Sequence, residues 1–597
     1  MSKILGHSFH IPVMGTGFTV DTPVKVAHLG ISSVVSIVDD ILVEKMREMY
    51  CKKLSLPFKP ITEKTKDFRA ERITSYLNLL DSMVKEKFEN LKDSIQDKGK
   101  ELEEYLDMLP DFSEVKQEFK EKFADNPYVK EAKEWLSNHL PLGSIDVNIM
   151  TKLDKGNRYE GEDLPVEFND AHAALRGFAM SNLESSMVLS AGMNPRLYGY
   201  LEQFEDFYPD NSGYIKKKIV LKVSDYRSAL IQGRYLAKKG IWISEYRIES
   251  GLNCGGHAFA TDGFLMGPIL QEFKEKRADL KDSLQQVLTQ ALTEKNKPVP
   301  DNLELKVTAQ GGVGTAEEHE FLIKEYNLDS IGWGSPFLMV PEACDVDEKT
   351  LSLLETADEK DLSLSHASPL GVRFNNLNAN TRDADKWDRL EKNQPGSACT
   401  KKYMIANTEF TKEPICTASR QYQKLKLAHL KEQNLPREEY QKEFNLLMEK
   451  TCLCKGLSAA SYLVNDIDTK RDGDGVSICP GPNLAYFTKK VKLKEMIDHI
   501  YSRTNLIDRK DRPHMFIKEL NLYYDYLKEQ VGELKNPIPK QVKSLEGFKK
   551  NLLNGVDYYK NLSQKVSNKF NDMKSQVEKD LEKLEGEIKN ILIKTES

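Results

Sequence analysis

Ile219-Val220-Leu221-Lys222-Val223, a helix-forming run, Gly240-Ile241-Trp242-Ile243 and then Gly251-Leu252-Asn253-Cys254-Gly255-Gly256-His257 set the frame of this chain. The same order returns in Leu305-Lys306-Val307-Thr308-Ala309-Gln310-Gly311-Gly312-Val313-Gly314, a second helical run and Ser330-Ile331-Gly332-Trp333-Gly334-Ser335-Pro336-Phe337. Each block reads as a short apolar strand, a helix of about a dozen residues and another strand, the pattern of βα units in a parallel sheet. The glycines fall where a strand runs out. There the backbone must turn sharply, and missing side chains let amide N–H groups approach an anion.

Working outward, His10-Ile11-Pro12-Val13-Met14-Gly15-Thr16-Gly17 reads as a strand ending in glycines, with a helix start carrying Pro23 just after it. Further strands are expected at 30–38, 145–150 and 186–190, which brings the count to seven or eight. Two successive glycine-rich strand ends late in a βα series are where such barrels hold phosphate, so the expected fold is α/β, a (β/α)8 TIM barrel. Residues 41–140 interrupt it as a polar helical insertion, with Ile73, Leu77, Leu80, Val84 and Phe88 at steps of three and four. Placed in a βα loop, that insertion is expected over the catalytic face as a lid or partner surface, or else as a solvated decoration. The barrel is assigned to 1–40 and 141–345, a cysteine-containing segment to 346–500, and a helical arm to 501–597. In the arm, Tyr559, Leu562, Val566, Phe570, Met573, Val577, Leu581, Leu584 and Ile588 suggest one long amphipathic helix packed on a partner or on the barrel. It is also the expected surface if the chain forms a homo-oligomer.

The 597 residues carry 30% charged side chains and a net charge of −6, so there is no global basic signature for nucleic acid. No run reaches the length of a membrane span. The first residues lack an apolar signal core, which reads as a cytoplasmic protein whose eight cysteines are thiols or ligands rather than disulfides. Cys452 and Cys454 lie within reach of one ion, and Cys479 stands in a Pro-Gly-Pro turn. With Cys416 (or Cys399) they form a candidate four-thiolate site for zinc or a 4Fe-4S cluster, against the alternative of unligated buried cysteines.

The Gly-Gly-His of 255–257, the Gln-Gly-Gly-Val-Gly of 310–314 and the Gly-Ser-Pro-Phe of 334–337 together resemble the nitronate monooxygenase group of FMN-dependent TIM barrels, which includes the flavin-dependent enoyl-ACP reductases. The resemblance covers the barrel, not the insertion or the residues after about 345. It implies an FMN-dependent oxidoreductase acting on a small-molecule substrate, with NAD(P)H or a protein as electron donor. Met14 and Gly15 stand where the family's Pro-Met-Ala-Gly segment lies under the flavin ring. FMN is then expected against Gly255, Gly256 and Gln310, with its phosphate on Gly311, Gly312, Gly314, Gly334 and Ser335. Lys222, a charge inside a strand, could neutralise the flavin or its phosphate, or snorkel to the rim. His257 is the expected acid/base or substrate contact. The chain departs from the family where Ser250 and Asn253 replace acidic or amide residues before the Gly-Gly-His, Glu249 is displaced by one, and Ser335-Pro336 replaces Thr-Arg. A sugar phosphate could use the same cup, which leaves a phosphate-substrate lyase or isomerase as an alternative. A non-catalytic interaction or scaffold protein on a degenerate barrel is another.

Overall fold

The computed structural model describes residues 6–94, 100–123, 130–151, 153–190, 192–253, 256–257, 262–507, 509, 511–534, 537–565 and 571–593. Eight parallel strands close on themselves: β1 (Phe9–Ile11), β2 (Ser32–Ser36), β3 (Ile145–Ile149), β4 (Ser186–Leu189), β5 (Lys218–Val223), β6 (Ile243–Glu249), β7 (Lys306–Gln310) and β8 (Ser330–Gly332). Each pairs with its neighbours in sequence, and β8 closes on β1 with Phe9 opposite Ile331 and His10 opposite Gly332. The fold is the expected (β/α)8 barrel. One strand differs in position: β6 starts at Ile243, where the expected strand ended, and runs on through three charged residues.

Strand alternation explains that difference. The outward set of β5 to β7, Ile219, Leu221, Val223, Tyr246, Ile248, Val307 and Ala309, joins the main core against the helices. The inward set includes Lys222, Glu245, Arg247, Glu249, Thr308 and Gln310, so the middle of this barrel is largely polar. Inside it, Val34, Val188 and Val220 form a small apolar cluster with Val13. Below that, Arg247 pairs with Glu245 at 2.8 Å and Thr308 donates to the same carboxylate at 2.5 Å. Burial opposes ionisation of Glu245, but the Arg247 guanidinium outweighs it and holds the carboxyl below the usual range. A chamber of about 720 Å³ opens beneath this layer at the N-terminal end of the strands, lined by Ser32, Ser144, Ser186, Ser330 and Asp146 among others.

The insertion after β2 does not lie over the C-terminal mouth. Helix α1 (Asp40–Lys53) is followed by α2 (Phe68–Ser94), whose 27 residues span about 40 Å. That length carries the chain down the outside of the barrel, against α3 (Asp170–Ala179), to the opposite rim. There Tyr105 donates to the carbonyl of Pro141 at 2.7 Å, next to Gly30, both just ahead of barrel strands. The helices after α2 bury their own cluster of Phe88, Tyr105, Leu109, Phe119 and Leu136.

The mouth is covered instead by the chain beyond 345. An antiparallel hairpin of β9 (Leu362–Ser365) and β10 (Phe374–Leu377) and helix α4 (Leu453–Val464) lie over it. Leu457 accepts from the Gly17 amide at 3.0 Å, and the hydroxyl of Tyr523 in the arm accepts from the Gly251 amide at 3.2 Å. The arm is not one long helix. After α5 (Met515–Gly532), α6 (Pro539–Lys565) and α7 (Asn571–Lys589) pack against each other as a hairpin, tied by the Lys560–Glu585 ion pair. Both helices turn the expected apolar positions inward, with Tyr559, Leu581, Leu584 and Ile588 buried. Val566 and Phe570 lie outside the described residues. One hydrophobic core runs from Phe9 to Ile588, so arm and barrel share it. Among the described residues no helix is long and apolar enough to cross a membrane.

Candidate functional site

The loop after β7 turns through two glycines in the left-handed region, Gly311 at φ +118° and Gly312 at φ +85°. A side chain at 312 would also meet Leu252 at 2.6 Å, so glycine is needed here for both conformation and space. Across from it, Gly334 leads into a short 3-10 turn, Ser335–Met339. Among the described residues, no acceptor within the chain receives the amides of Gly312, Val313, Gly334 or Ser335. Four amides without a partner on two adjacent strand ends are donors that an anion could receive there. Gly314, expected among them, is engaged elsewhere, since its amide donates to Glu318 at 2.9 Å.

The rim of this cup is finished by residues far along the chain. Arg512 binds both oxygens of Glu318 at 2.8 Å and donates to the Gly312 carbonyl at 3.0 Å. Asn483 donates to the Val313 carbonyl at 2.7 Å, and the Gly481 amide donates to the Ser335 hydroxyl at 2.8 Å. Burial opposes ionisation of Glu318, but Arg512 prevails and keeps the carboxyl below its ordinary range. None of these partners is legible in the sequence as part of the site. Arg512 and Glu318 are separated by nearly two hundred residues and carry no motif.

At the inner edge of the cup, one carboxylate oxygen of Glu249 receives three donors. Lys222 Nζ reaches it at 3.0 Å, Asn253 Nδ2 at 2.6 Å and Gln310 Nε2 at 2.7 Å. The expected strand cation is therefore present at the mouth, but it is ion-paired. Inside the barrel, Asn148 Oδ1 is buried without a hydrogen-bond partner, whereas Gln310 Oε1 and His10 Nε2 lie together beside Gly332, with His10 lining the N-terminal chamber. Burial, helped by Arg247, pulls His10 down to about 3, so it is a neutral imidazole. Its Nδ1 is hydrogen-bonded to the Ser330 hydroxyl at 3.0 Å. A buried polar atom without a partner calls for water or a polar ligand beside it.

Met14 is fully buried, and Gly15, at φ +55°, would bring a Cβ within 2.9 Å of the Phe18 ring and 3.4 Å of Leu457. His257 is half-buried. Its Nε2 shares a 2.7 Å hydrogen bond with the Ser368 hydroxyl, and its ring meets Phe374 edge-on at 5.3 Å. Gly256 lets Phe374 come this close, since a Cβ there would lie 2.5 Å from the ring. Gly255 and Cys254 lie outside the described residues.

Among the described residues the cysteines do not gather as a metal site. Among the described residues no three His, Cys, Asp or Glu side chains converge as a metal ion requires. The four-thiolate set of Cys416, Cys452, Cys454 and Cys479 is thus not assembled. Cys479 is held in the main core, and Cys416, Cys452 and Cys454 are buried thiols.

No family model matches the chain, and no curated protein matches it. Among solved structures, the enoyl reductase domain of MlnA from the macrolactin biosynthesis cluster of Bacillus amyloliquefaciens is similar over 68% of this chain and 86% of its own. The identity is 14% and the TM-score 0.30, a score too low to bear on this chain's activity.

Proposed function

We propose that this chain is an FMN-dependent oxidoreductase of the nitronate monooxygenase-like barrel kind, with the flavin phosphate on the two strand-end loops. The observation that carries this reading is the set of unpaired amides at Gly312, Val313, Gly334 and Ser335, on the adjacent ends of β7 and β8. The chain's own residues fit the group: a glycine cradle that no side chain could share, and an orphaned polar atom on Asn148 inside the barrel. When bound, FMN would supply electron-pair acceptance and donation to a small-molecule substrate, with NAD(P)H or a protein as donor. Lys222, fixed by Glu249, sets a cation at the inner edge of the cup. Gln310 is tied to the same carboxylate through its amide nitrogen at 2.7 Å. His257, oriented by Ser368, would move a proton or hold the substrate at the outer side.

The test is titration of the purified protein with FMN and with riboflavin, followed by flavin fluorescence and by absorbance near 450 nm. FMN should bind and riboflavin bind far more weakly, because only FMN carries the anion for the amides. In Gly312→Val, the added side chain collides with Leu252 and FMN affinity should fall at least tenfold. A folded protein that ignores FMN, or binds riboflavin equally well, would end this reading. The same amides would accept a sugar phosphate, so displacement of FMN by a phosphate ester identifies the alternative lyase or isomerase use of the cup.

A further inference from the structure

The interior of a parallel barrel is ordinarily filled by bulky branched side chains, and its N-terminal end serves stability alone. In this chain every one of the eight strands sets a polar residue against the N-terminal chamber. Ser32, Ser186, Ser244 and Ser330 come from the alternate strands β2, β4, β6 and β8, and charged or polar groups from the others stand between them. The chamber, about 720 Å³, reaches solvent past the exposed residues Tyr214, Lys218 and Glu304. Its size is that of a small-molecule site, and packing does not explain its lining.

Asp146 is the group that the fold leaves unmatched. It is buried on β3, and its Oδ1 accepts from the Ser144 hydroxyl and, at 3.0 Å, from the Ser186 amide. Among the described residues its Oδ2 receives no donor, and no lysine, arginine or histidine forms an ion pair with it. Burial lifts this carboxyl above its ordinary range, against the Ser144 hydrogen bond and the charge of Arg247. The other charges along the chamber are matched or lie at its rim. Arg247 is paired with Glu245 at 2.8 Å, Lys306 with Glu304 at 3.8 Å and Asp329 with Arg277 at 2.7 Å. His10 is neutral, and Lys218 stands exposed at the entrance. A buried carboxylate is costly until a cation reaches it, and here that cation has to come from outside the chain.

We propose that the chamber binds a small polyhydroxylated amine, with its ammonium on Asp146 and its hydroxyls among the strand-end serines. An ammonium brings three donors, for Oδ2 and for the lone pairs of neighbouring hydroxyls. Each serine hydroxyl both donates and accepts, as each hydroxyl of the ligand does, so the two sets satisfy one another. An anion would meet the Asp146 carboxylate at the bottom of the chamber, and an apolar molecule would strand the serines without water. The chamber is at the opposite end of the strands from the glycine cup, so this site does not rest on the flavin reading.

Glucamine, sorbitol and gluconate share one polyol chain and differ at one terminus, which is an ammonium, a hydroxyl or a carboxylate. In isothermal titration of the full chain, glucamine should bind at least tenfold more tightly than sorbitol, and gluconate should give no heat. Asp146→Asn keeps an oxygen for the Ser144 hydroxyl and the Ser186 amide but removes the charge. It should bring glucamine to the affinity of sorbitol, with an unchanged circular dichroism spectrum. Ser186→Leu, which fills part of the chamber, should weaken both at least tenfold. Should Asp146→Asn fail to fold, the order of the three ligands on the unaltered chain still decides. Equal affinities for glucamine and sorbitol, tighter binding of gluconate, no heat from glucamine, or a Ser186→Leu chain that binds both as before would overturn the assignment.

Discussion

Glu318 shows how much one side chain can hold together. It is buried, and it takes both arms of Arg512, the Gly314 amide and the Met515 amide. Glu318→Gln keeps the shape and removes the charge, leaving the Arg512 guanidinium buried without its counter-ion. That loss is expected to cost about 3–5 kcal/mol, read as a lower midpoint in urea unfolding. Glu519 is the opposite case. Burial raises its carboxyl to about 7, with Oε2 on the Met266 amide and Oε1 unpaired. The folded chain holds a proton there that the unfolded chain has already released, so stability is full below about 4.5 and falls as pH rises towards 7. The fall is about 3 kcal/mol, and Glu519→Gln should abolish it, being the more stable form at pH 8 and no more stable at pH 4.5. Denaturant titrations at the two pH values decide this; a variant equally destabilised at both would refute it. The glycines of the cup are readable in the sequence because their function is local. Arg512, Asn483 and Glu318 are not, since nothing near them in the chain signals the partner across the fold.

At the level of elements, the apolar faces of the strands are readable and their polar faces mislead. Lys222 is anomalous only if a barrel interior must be apolar. Glu245, Arg247 and Glu249 resemble a loop for the same reason, although their alternation with Tyr246 and Ile248 is a strand pattern. The insertion is recognisable as helical, but its position is not, because placement depends on the length of α2 and its contact with α3. That contact turns on Gly177. A Cβ there would stand 2.8 Å from Ile73 and 2.9 Å from the Ala70 carbonyl, a backbone atom that cannot step aside. Gly177→Ala should force the two helices apart and destabilise the fold by about 1–3 kcal/mol, seen as a lower Tm with the barrel's ligand affinity unchanged. The arm's apolar spacing is also legible. Its division into two antiparallel helices is not, because a hairpin and a single helix present the same periodicity to a reader of the sequence.

For the molecule as a whole, the chain beyond 345 is as much a part of the barrel as the strands are. Phe374, Leu457, Leu484 and Tyr523 share one core with Phe9 and Ile331, and the buried Lys401–Asp39 pair crosses the same boundary. A chain ending at residue 345 should therefore be insoluble on expression, and limited proteolysis of the full chain should yield no persistent fragment of that size. A monomeric 1–345 piece that unfolds cooperatively would show the boundary to be real. Arg512 adds a matter of timing. Protein synthesis delivers all eight barrel strands, the last ending at Gly332, before this guanidinium at position 512, so throughout the interval Glu318 stands without its counter-ion and the glycine loop has no outer wall. Any ligand that needs the finished cup can be captured only after residue 512 has emerged. Loading thereby lags behind the making of the strands, and chains terminated before that arginine are left without it.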